Sequence, residues 1–88
     1  MAWTIEYTRR AQTQLGRLDR RTARRIIDYM EQRIAESDNP RNTGRAMRGP
    51  LRGFWRYRVG DYRLICDIQD NVLTVLVLRV GRRDQIYR

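Results

Sequence analysis

The sequence contains no histidine and no lysine, and Cys66 is its single cysteine. Without histidine, the chain can have neither a histidine general base, nor a Ser-His-Asp triad, nor a metal site with histidine ligands. A single cysteine excludes an internal disulfide and a cysteine-based metal cluster. We therefore expect no metal or other cofactor, and a buried structural thiol at Cys66 that fits a reducing cytoplasm.

Long hydrophobic runs are also missing from the sequence. No segment is long and apolar enough to span a membrane, and the first residues lack the charged-then-apolar pattern of a secretory signal. The expected location is the cytoplasm. A length of 88 residues predicts a single domain over residues 1–88, which buries roughly 60% of the surface of its unfolded chain.

Positive charge is what the sequence has in excess. Its 19 basic residues are all arginine, they outnumber 10 acidic residues, and the formal net charge is +9. A small domain this basic is expected to bind nucleic acid, an anionic surface or an acidic protein partner. Charge alone does not choose among these three classes of partner.

The stretch from Gly53 to Ile68 predicts a β-hairpin. Two runs of alternating residues flank Gly60-Asp61, and glycine at the first central position accepts the positive φ of a type II′ turn. Counting outward from this turn predicts five opposed pairs: Val59 with Tyr62, Arg58 with Arg63, Tyr57 with Leu64, Arg56 with Ile65, and Trp55 with Cys66. Successive residues alternate faces, so one face is apolar and faces the core: Trp55, Tyr57, Val59, Tyr62, Leu64, Cys66 and Ile68.

The other face of the hairpin carries Arg56, Arg58 and Arg63, which we call the arginine face. Like charges that oppose one another across a strand pair are destabilising. An anion bound on the face would offset this cost, and the planar guanidinium suits phosphate oxygens. The alternative interpretation is an exposed, solvated basic surface. The opposition of Arg58 and Arg63 favours a phosphate site.

The remaining segments predict an α+β fold. Residues 3–7 alternate as a strand, Thr8 and Asp19 are predicted to cap two amphipathic helices, and Asn39-Pro40 ends the second. Residues 41–50 are predicted to form a loop, Asp70-Asn71 a turn, and residues 72–80 a last strand that Gly81 breaks. The predicted order is β-α-α-β-β-β, with two helices packed on one face of a small antiparallel sheet. The position of the first strand in that sheet is not predicted.

Several motifs follow one another along nearly the whole chain in a specific order and spacing. They are W-T-I-E-Y at residues 3–7, A-x-x-x-L-x-x-L-D at 11–19, N-P at 39–40, G-R at 44–45, L-x-G-x-W-R-Y-R-V-G-D-Y-R-L-I at 51–65, and V-G-R-R-x-x-x-Y-R at 80–88. In these residues the chain resembles RelE-type toxins of the RelE/ParE toxin–antitoxin superfamily. The resemblance implies a microbial-RNase-like α+β fold, cleavage of mRNA on the translating ribosome, and inhibition by a RelB-like antitoxin.

Carried over position by position, the resemblance implies a set of catalytic residues without metal: Arg56, Arg58, Arg63, Arg83 and Tyr87. The hairpin register independently places the first three on one face. Arg83 and Tyr87 rest on the resemblance alone, because Gly81 is predicted to interrupt the strand before them. Further RNA contacts are expected from four other arginines: Arg45, Arg48, Arg52 and Arg82. The expected partners are the ribosome with its mRNA, the antitoxin, and operator DNA only through the antitoxin complex.

Two other functions remain open at the level of sequence. One is a ParE-like toxin that inhibits DNA gyrase by protein contact, for which a complete arginine and tyrosine set is not needed. The other is a basic RNA-binding module without catalysis. Binding by such a module would weaken by about 0.7 log units per contacted phosphate for each log unit of salt, and the RNA would stay intact.

Overall fold

The computed structural model of the chain describes residues 2–87. Its helices and strands follow in this order: β1 (Thr4–Tyr7), α1 (Arg9–Gly16), α2 (Arg20–Asp28), β2 (Arg45–Ala46), β3 (Trp55–Val59), β4 (Tyr62–Gln69) and β5 (Thr74–Arg82). A π-helical segment, Tyr29–Ile34, extends α2, and short 3₁₀ turns occur at Pro40–Asn42, Gly49–Leu51 and Asp70–Val72. The α+β fold class is confirmed.

The five strands form one mixed sheet in the order β1-β5-β4-β3-β2. Two details differ from the sequence prediction. The segment predicted to be a loop contains the two-residue strand β2, which pairs with β3 at Arg56 and Trp55. Strand β1 lies at the other edge and runs parallel to β5, so the sheet is not wholly antiparallel. Neither pairing leaves a mark in local sequence, because each joins segments that are far apart in the chain or very short.

Both helices begin at the predicted capping residues. Thr8 Oγ1 accepts a hydrogen bond from the Ala11 N–H at 3.1 Å and donates to the Leu78 carbonyl at 3.0 Å. The Asp19 carboxylate accepts from the Thr22 N–H at 3.1 Å. Each cap satisfies a backbone donor that the first turn leaves without a partner, and Thr8 also attaches α1 to β5.

The main core lies between the helices and one face of the sheet. The buried helix residues Ala11, Leu15, Ile26, Met30 and Ile34 pack against the apolar face of β3, β4 and β5. Tyr57 is fully buried and donates a 2.7 Å hydrogen bond to the Pro40 carbonyl, while Trp55 and Tyr62 pack partly buried against the same cluster. The aromatic residues of the hairpin therefore serve the core, as predicted. Across residues 2–87, the helices are all too short or too polar to cross a membrane.

The predicted register of the hairpin is confirmed in all five pairs, including Arg58 opposite Arg63. Gly60 has φ 59°, as the first central position of a type II′ turn requires. Helices cover one side of the hairpin, so the arginine face points to the opposite side of the sheet. The face is not wholly polar, since Ile65, which pairs with Arg56, is fully buried.

The prediction that Gly81 breaks the last strand is wrong. Strand β5 continues through Gly81, which pairs with Arg63 on β4, and ends at Arg82. The chain then turns back, because the N–H groups of Gln85 and Ile86 both donate to the Arg82 carbonyl at 2.9 Å. The buried side chain of Ile86 packs directly over Gly81, so this position favours a residue without a side chain. The last residue of the C-terminal motif, Arg88, lies outside the described residues.

Candidate active site

A cleft of about 430 Å³ lies over the arginine face. Strand β3 contributes Arg56 and Arg58, and strand β4 contributes Arg63. The turn of residues 83–87 after β5, which we call the C-terminal turn, contributes Arg83 and Tyr87. The structure therefore brings together all five residues that the sequence predicted to be catalytic. Gly44 and Arg45, at the start of β2, complete the lining.

Arg63 lies at the centre of this group of charges. Its Nη1 donates to the Gly60 carbonyl at 3.0 Å and to the Tyr62 carbonyl at 3.1 Å, which fixes the guanidinium over the turn. Partial desolvation, followed by the positive charges of Arg58, Arg56 and Arg83, lowers the pKa of the Arg63 guanidinium. Arginine stays protonated at neutral pH all the same, so the cleft concentrates positive charge that a bound anion would neutralise.

The C-terminal turn forms one wall of the cleft. The Arg83 N–H donates to the Asp61 carbonyl at 2.9 Å, which attaches this segment to the tip of the hairpin. Arg56 Nη1 donates to the Tyr87 hydroxyl at 3.0 Å. Tyr87 is 47% exposed, so its ring and hydroxyl remain accessible to a ligand. Because the phenol oxygen accepts the hydrogen bond from Arg56, the hydroxyl proton is available for a hydrogen bond to a ligand.

The four arginines predicted to make further RNA contacts separate into two pairs. Arg45 lines the cleft, and Arg48 lines an adjoining depression of about 780 Å³ that also includes Arg56 and Tyr87. Arg52 follows the 3₁₀ turn Gly49–Leu51 and does not line the cleft. Arg82 lines a separate depression with Asp61, Arg83 and Asp84, and its Nε lies 3.9 Å from Asp84 Oδ1.

Sequence reasoning missed Arg79 as a neighbour of the site. It lines a depression of about 480 Å³ together with Arg48, Leu51 and Tyr87. A bulge between β4 and β5 brings it there, since Ile65 pairs with Arg79 while the next residue, Cys66, pairs with Val77. The signal in the sequence was that Arg79 is the single charged residue in the apolar run of residues 72–80.

The side chains of the cleft can bind and stabilise an anion with several oxygen atoms. Guanidinium groups donate in pairs to phosphate oxygens, and such charge-assisted hydrogen bonds are roughly twice as strong as neutral ones. Among the residues that line the cleft there is no carboxylate to compete for these donors. Within residues 2–87, Cys, Asp and Glu side chains do not gather into a group of three or more that could hold a metal ion.

Comparison with known proteins assigns the chain to a family. The model of the ParE toxin of type II toxin-antitoxin systems (parDE) matches residues 5–87. The chain belongs to the RelE/ParE toxin superfamily. It is therefore a toxin of the type II toxin–antitoxin class, and the recognition made from the sequence motifs is confirmed.

Two curated relatives come from Mycobacterium tuberculosis. Toxin RelG is 33% identical over 88 residues, which cover 100% of this chain and 99% of the relative. Toxin RelE from the same organism is 29% identical over 84 residues, covering 96% of this chain and 84% of the relative. The toxin is thus similar to both of these proteins over most of their lengths.

Solved structures share the fold. A chain of the toxin-antitoxin complex RelBE2 from Mycobacterium tuberculosis superimposes with a TM-score of 0.86 at 29% identity, covering 94% of this chain and 93% of that one. The isolated RelE toxin of E. coli gives a TM-score of 0.68 at 19% identity, with 92% and 84% covered. The second likeness is one of fold alone.

Proposed function

We propose that this toxin is a ribosome-dependent mRNA endoribonuclease that stops translation and uses the cleft over the arginine face as its active site. The observation that supports the proposal is the convergence of five guanidinium groups and one phenol in a single cleft, from four separate segments of the chain. Those segments are β2, β3, β4 and the C-terminal turn. The substrate class is RNA, since a phosphodiester with a neighbouring 2′-hydroxyl can be cut without metal or histidine.

The proposed reaction uses the RNA as its own nucleophile. The 2′-oxygen attacks the adjacent phosphorus, a pentacovalent phosphorane forms, and the bond from phosphorus to the 5′-oxygen breaks. The products are a 2′,3′-cyclic phosphate and a 5′-hydroxyl. Arg63 and Arg83 are assigned to the phosphorane oxygens, where charge accumulates, and Arg56 and Arg58 to the flanking backbone. Fixed donors stabilise this charge without reorganising during the reaction.

Proton transfer is the demanding step for this set of residues. Arginine cannot be deprotonated in practice and is a poor general base. We assign proton transfer to Tyr87, whose hydroxyl oxygen is held at 3.0 Å from Arg56 Nη1. The proton of the attacking 2′-hydroxyl passes to solvent water, and a phenol in this position can donate its own proton to the departing 5′-oxygen. The nearby guanidinium then stabilises the phenolate until it takes a proton back from water. The ring can also stack on an unpaired base, as aromatic residues do in RNA recognition.

The proposed regulator is a RelB-like antitoxin. Solved structures of similar fold include toxin-antitoxin complexes, among them RelBE2 of Mycobacterium tuberculosis. A net charge of +9 favours a partner segment that is acidic or amphipathic, and an antitoxin segment that folds on binding would wrap a large part of so small a domain. Contact with operator DNA is proposed only through this complex.

Translation-coupled cleavage tests the proposal. The toxin is induced in bacterial cells, new mRNA ends are mapped by primer extension, and the wild type is compared with Arg83→Ala. Arg9→Ala is the matched control, because Arg9 is an exposed arginine at the start of α1, away from the cleft. We expect new ends inside translated codons for the wild type and for Arg9→Ala, and loss of these ends for Arg83→Ala.

Two outcomes would overturn the proposal. Growth arrest with intact mRNA and gyrase-linked DNA damage would indicate a ParE-like gyrase inhibitor. RNA that is bound with a steep salt dependence but stays intact would indicate a binding module without catalysis.

A further inference from the structure

The Gly60-Asp61 turn holds two of the cleft arginines at once. The carbonyl of Gly60 accepts a hydrogen bond from Arg63 Nη1 at 3.0 Å. The carbonyl of Asp61 accepts one from the backbone N–H of Arg83 at 2.9 Å. Because the turn is only two residues long, any displacement of it moves the attachments of both arginines together.

A residue outside the cleft, Arg25 of α2, lies against this turn. A Cβ atom built on Gly60 would be 2.9 Å from Arg25 Nη1, 3.4 Å from its Cζ and 3.5 Å from its Nη2, so the whole guanidinium lies close to the turn. Gly60 therefore meets two demands, a positive φ and the close approach of Arg25. Arg25 has no ion pair with an acidic residue in the described part of the chain.

We propose that Arg25 is a positioning residue, which fixes the Gly60-Asp61 turn so that Arg63 and Arg83 point into the cleft. The inference rests on the proposed function only in that these two arginines act on phosphate. Arg58 opposes Arg63 directly, and this repulsion tends to push the Arg63 side chain away from its productive place. A turn that Arg25 holds in place keeps the Arg63 side chain in position against this repulsion. A misplacement of about 1 Å in an active site can lower a rate by about 10²-fold.

Two simpler roles for Arg25 must be separated from positioning. One is a contribution of positive charge to the field of the site. The other is helix propensity, since Arg25 lies within α2, which the π-helical segment continues. Lysine keeps the charge and a similar helix propensity but lacks the planar guanidinium. Arg25→Lys therefore distinguishes contact with the turn from charge.

The kinetic test compares Arg25→Ala, Arg25→Lys and Arg24→Ala with the wild type, using purified bacterial ribosomes programmed with a short synthetic mRNA. Arg24 is the matched control, because it is the adjacent exposed arginine of the same helix. We expect kcat to fall about tenfold in both Arg25 variants with KM within about twofold of the wild type, because the loss is in the transition state. Arg24→Ala is expected to keep the wild-type values. Equal losses in Arg24→Ala, or full activity in Arg25→Lys, would overturn the proposal.

A second measurement does not depend on cleavage and tests whether Arg25 touches the turn. Gly60→Ala is introduced into the wild type and into Arg25→Ala, and the unfolding equilibrium constants of the four proteins are compared. We expect Gly60→Ala to raise the unfolding equilibrium constant about fivefold less in the Arg25→Ala background than in the wild type, because residues in contact are coupled. If the double variant shows the product of the two single effects on this constant, the substitutions act independently and the contact is refuted. If the toxin cuts no RNA, the proposed function fails while this cycle still decides the contact.

Discussion

The toxin carries two arginine-rich surfaces that differ in how their guanidinium groups are arranged. On the sheet, five guanidinium groups from β2, β3, β4 and the C-terminal turn converge on one cleft. On and beside the helices, the exposed arginines include Arg9, Arg10, Arg17, Arg20, Arg21 and Arg24. Within residues 2–87, no ion pair joins these six to an acidic side chain. The helices carry more exposed arginines than the cleft does, but among these described residues only the arginines of the cleft line a common cavity.

The difference shows that convergence, rather than charge count, marks the candidate site. On the sheet, strand register and hydrogen bonds to the turn fix the guanidinium of Arg63, and partial desolvation, followed by the positive charges of its neighbours, lowers its pKa. The helix arginines extend separately into solvent, where binding an anion would cost the entropy of ordering each long side chain. Both helices also begin with two arginines and no acid in the first turn, which the helix dipole disfavours.

The largest expected effect comes from comparing an alanine substitution of one arginine in the cleft with that of one arginine on the helices. Arg63→Ala removes a fixed donor from the cleft, and we expect the cleavage rate to fall by about 10²- to 10³-fold, as for loss of a preorganised oxyanion donor. Arg24→Ala removes the same charge from the helix surface and should leave the rate within about twofold. Single-turnover cleavage on programmed ribosomes measures both. Similar losses in the two variants would mean that total charge, not the geometry of the cleft, limits the reaction.

Tyr87→Phe tests the chemical part of the cleft without changing its charge. The ring is kept and the hydroxyl is removed, so stacking on RNA should survive while proton transfer is lost. We expect the cleavage rate to fall by about 10²-fold and the affinity for RNA to change little. Tyr29→Phe is the control, since Tyr29 lies in a separate depression beside Asp28 and Gln32. Equal losses of binding and cleavage in Tyr87→Phe would leave Tyr87 a binding residue only.

The hairpin could be predicted from sequence in detail, because a two-residue Gly-Asp turn fixes every pair that follows it. The opposition of Arg58 and Arg63 came from counting alone and is present in the structure. The helix caps at Thr8 and Asp19 were equally local, since each needs only a side-chain oxygen next to the first turn.

What sequence could not provide depends on contacts between distant segments. Gly81 was interpreted as a strand breaker, whereas its small size accommodates Ile86 after the chain has turned back. This fold-back places Arg83 and Tyr87, which the resemblance alone had assigned to the site. The bulge opposite Ile65 that brings Arg79 to the same side of the sheet is likewise a product of strand pairing.

Gly81→Ala tests whether the C-terminal wall of the cleft depends on this packing. A Cβ at residue 81 would lie 3.0 Å from Ile86 Cδ1 and 3.4 Å from its Cα, so we expect overpacking that costs about 1–3 kcal/mol of unfolding free energy. Displacement of Tyr87 should also slow cleavage. Gly16→Ala is the matched control: a Cβ there meets nothing within 4 Å, and alanine should stabilise the helix slightly. Urea denaturation compares the two, and an unaffected Gly81→Ala protein would show that Ile86 moves aside freely.

The smallest expected effect concerns Arg41, an arginine outside both surfaces that has an acidic partner. Its guanidinium donates two hydrogen bonds of 2.8 Å to the Asp70 carboxylate, which hold the pKa of that carboxyl below its ordinary value. A carboxyl with a lowered folded-state pKa stabilises the fold above its unfolded pKa of about 4, and this contribution disappears as the pH falls through the folded-state pKa. Solvent screening keeps the effect small, because both side chains are exposed.

Asp70→Asn should therefore be slightly less stable than the wild type at pH 7, and the difference should close below about pH 4. Urea denaturation at several pH values measures this difference. Asp84→Asn is the comparison, since the distance of 3.9 Å from Asp84 Oδ1 to Arg82 Nε is too long for a hydrogen bond, and its effect should be smaller at every pH. A deficit in Asp70→Asn that stays constant from pH 7 to low pH would trace it to the 3₁₀ turn at Asp70–Val72 rather than to the pairing with Arg41.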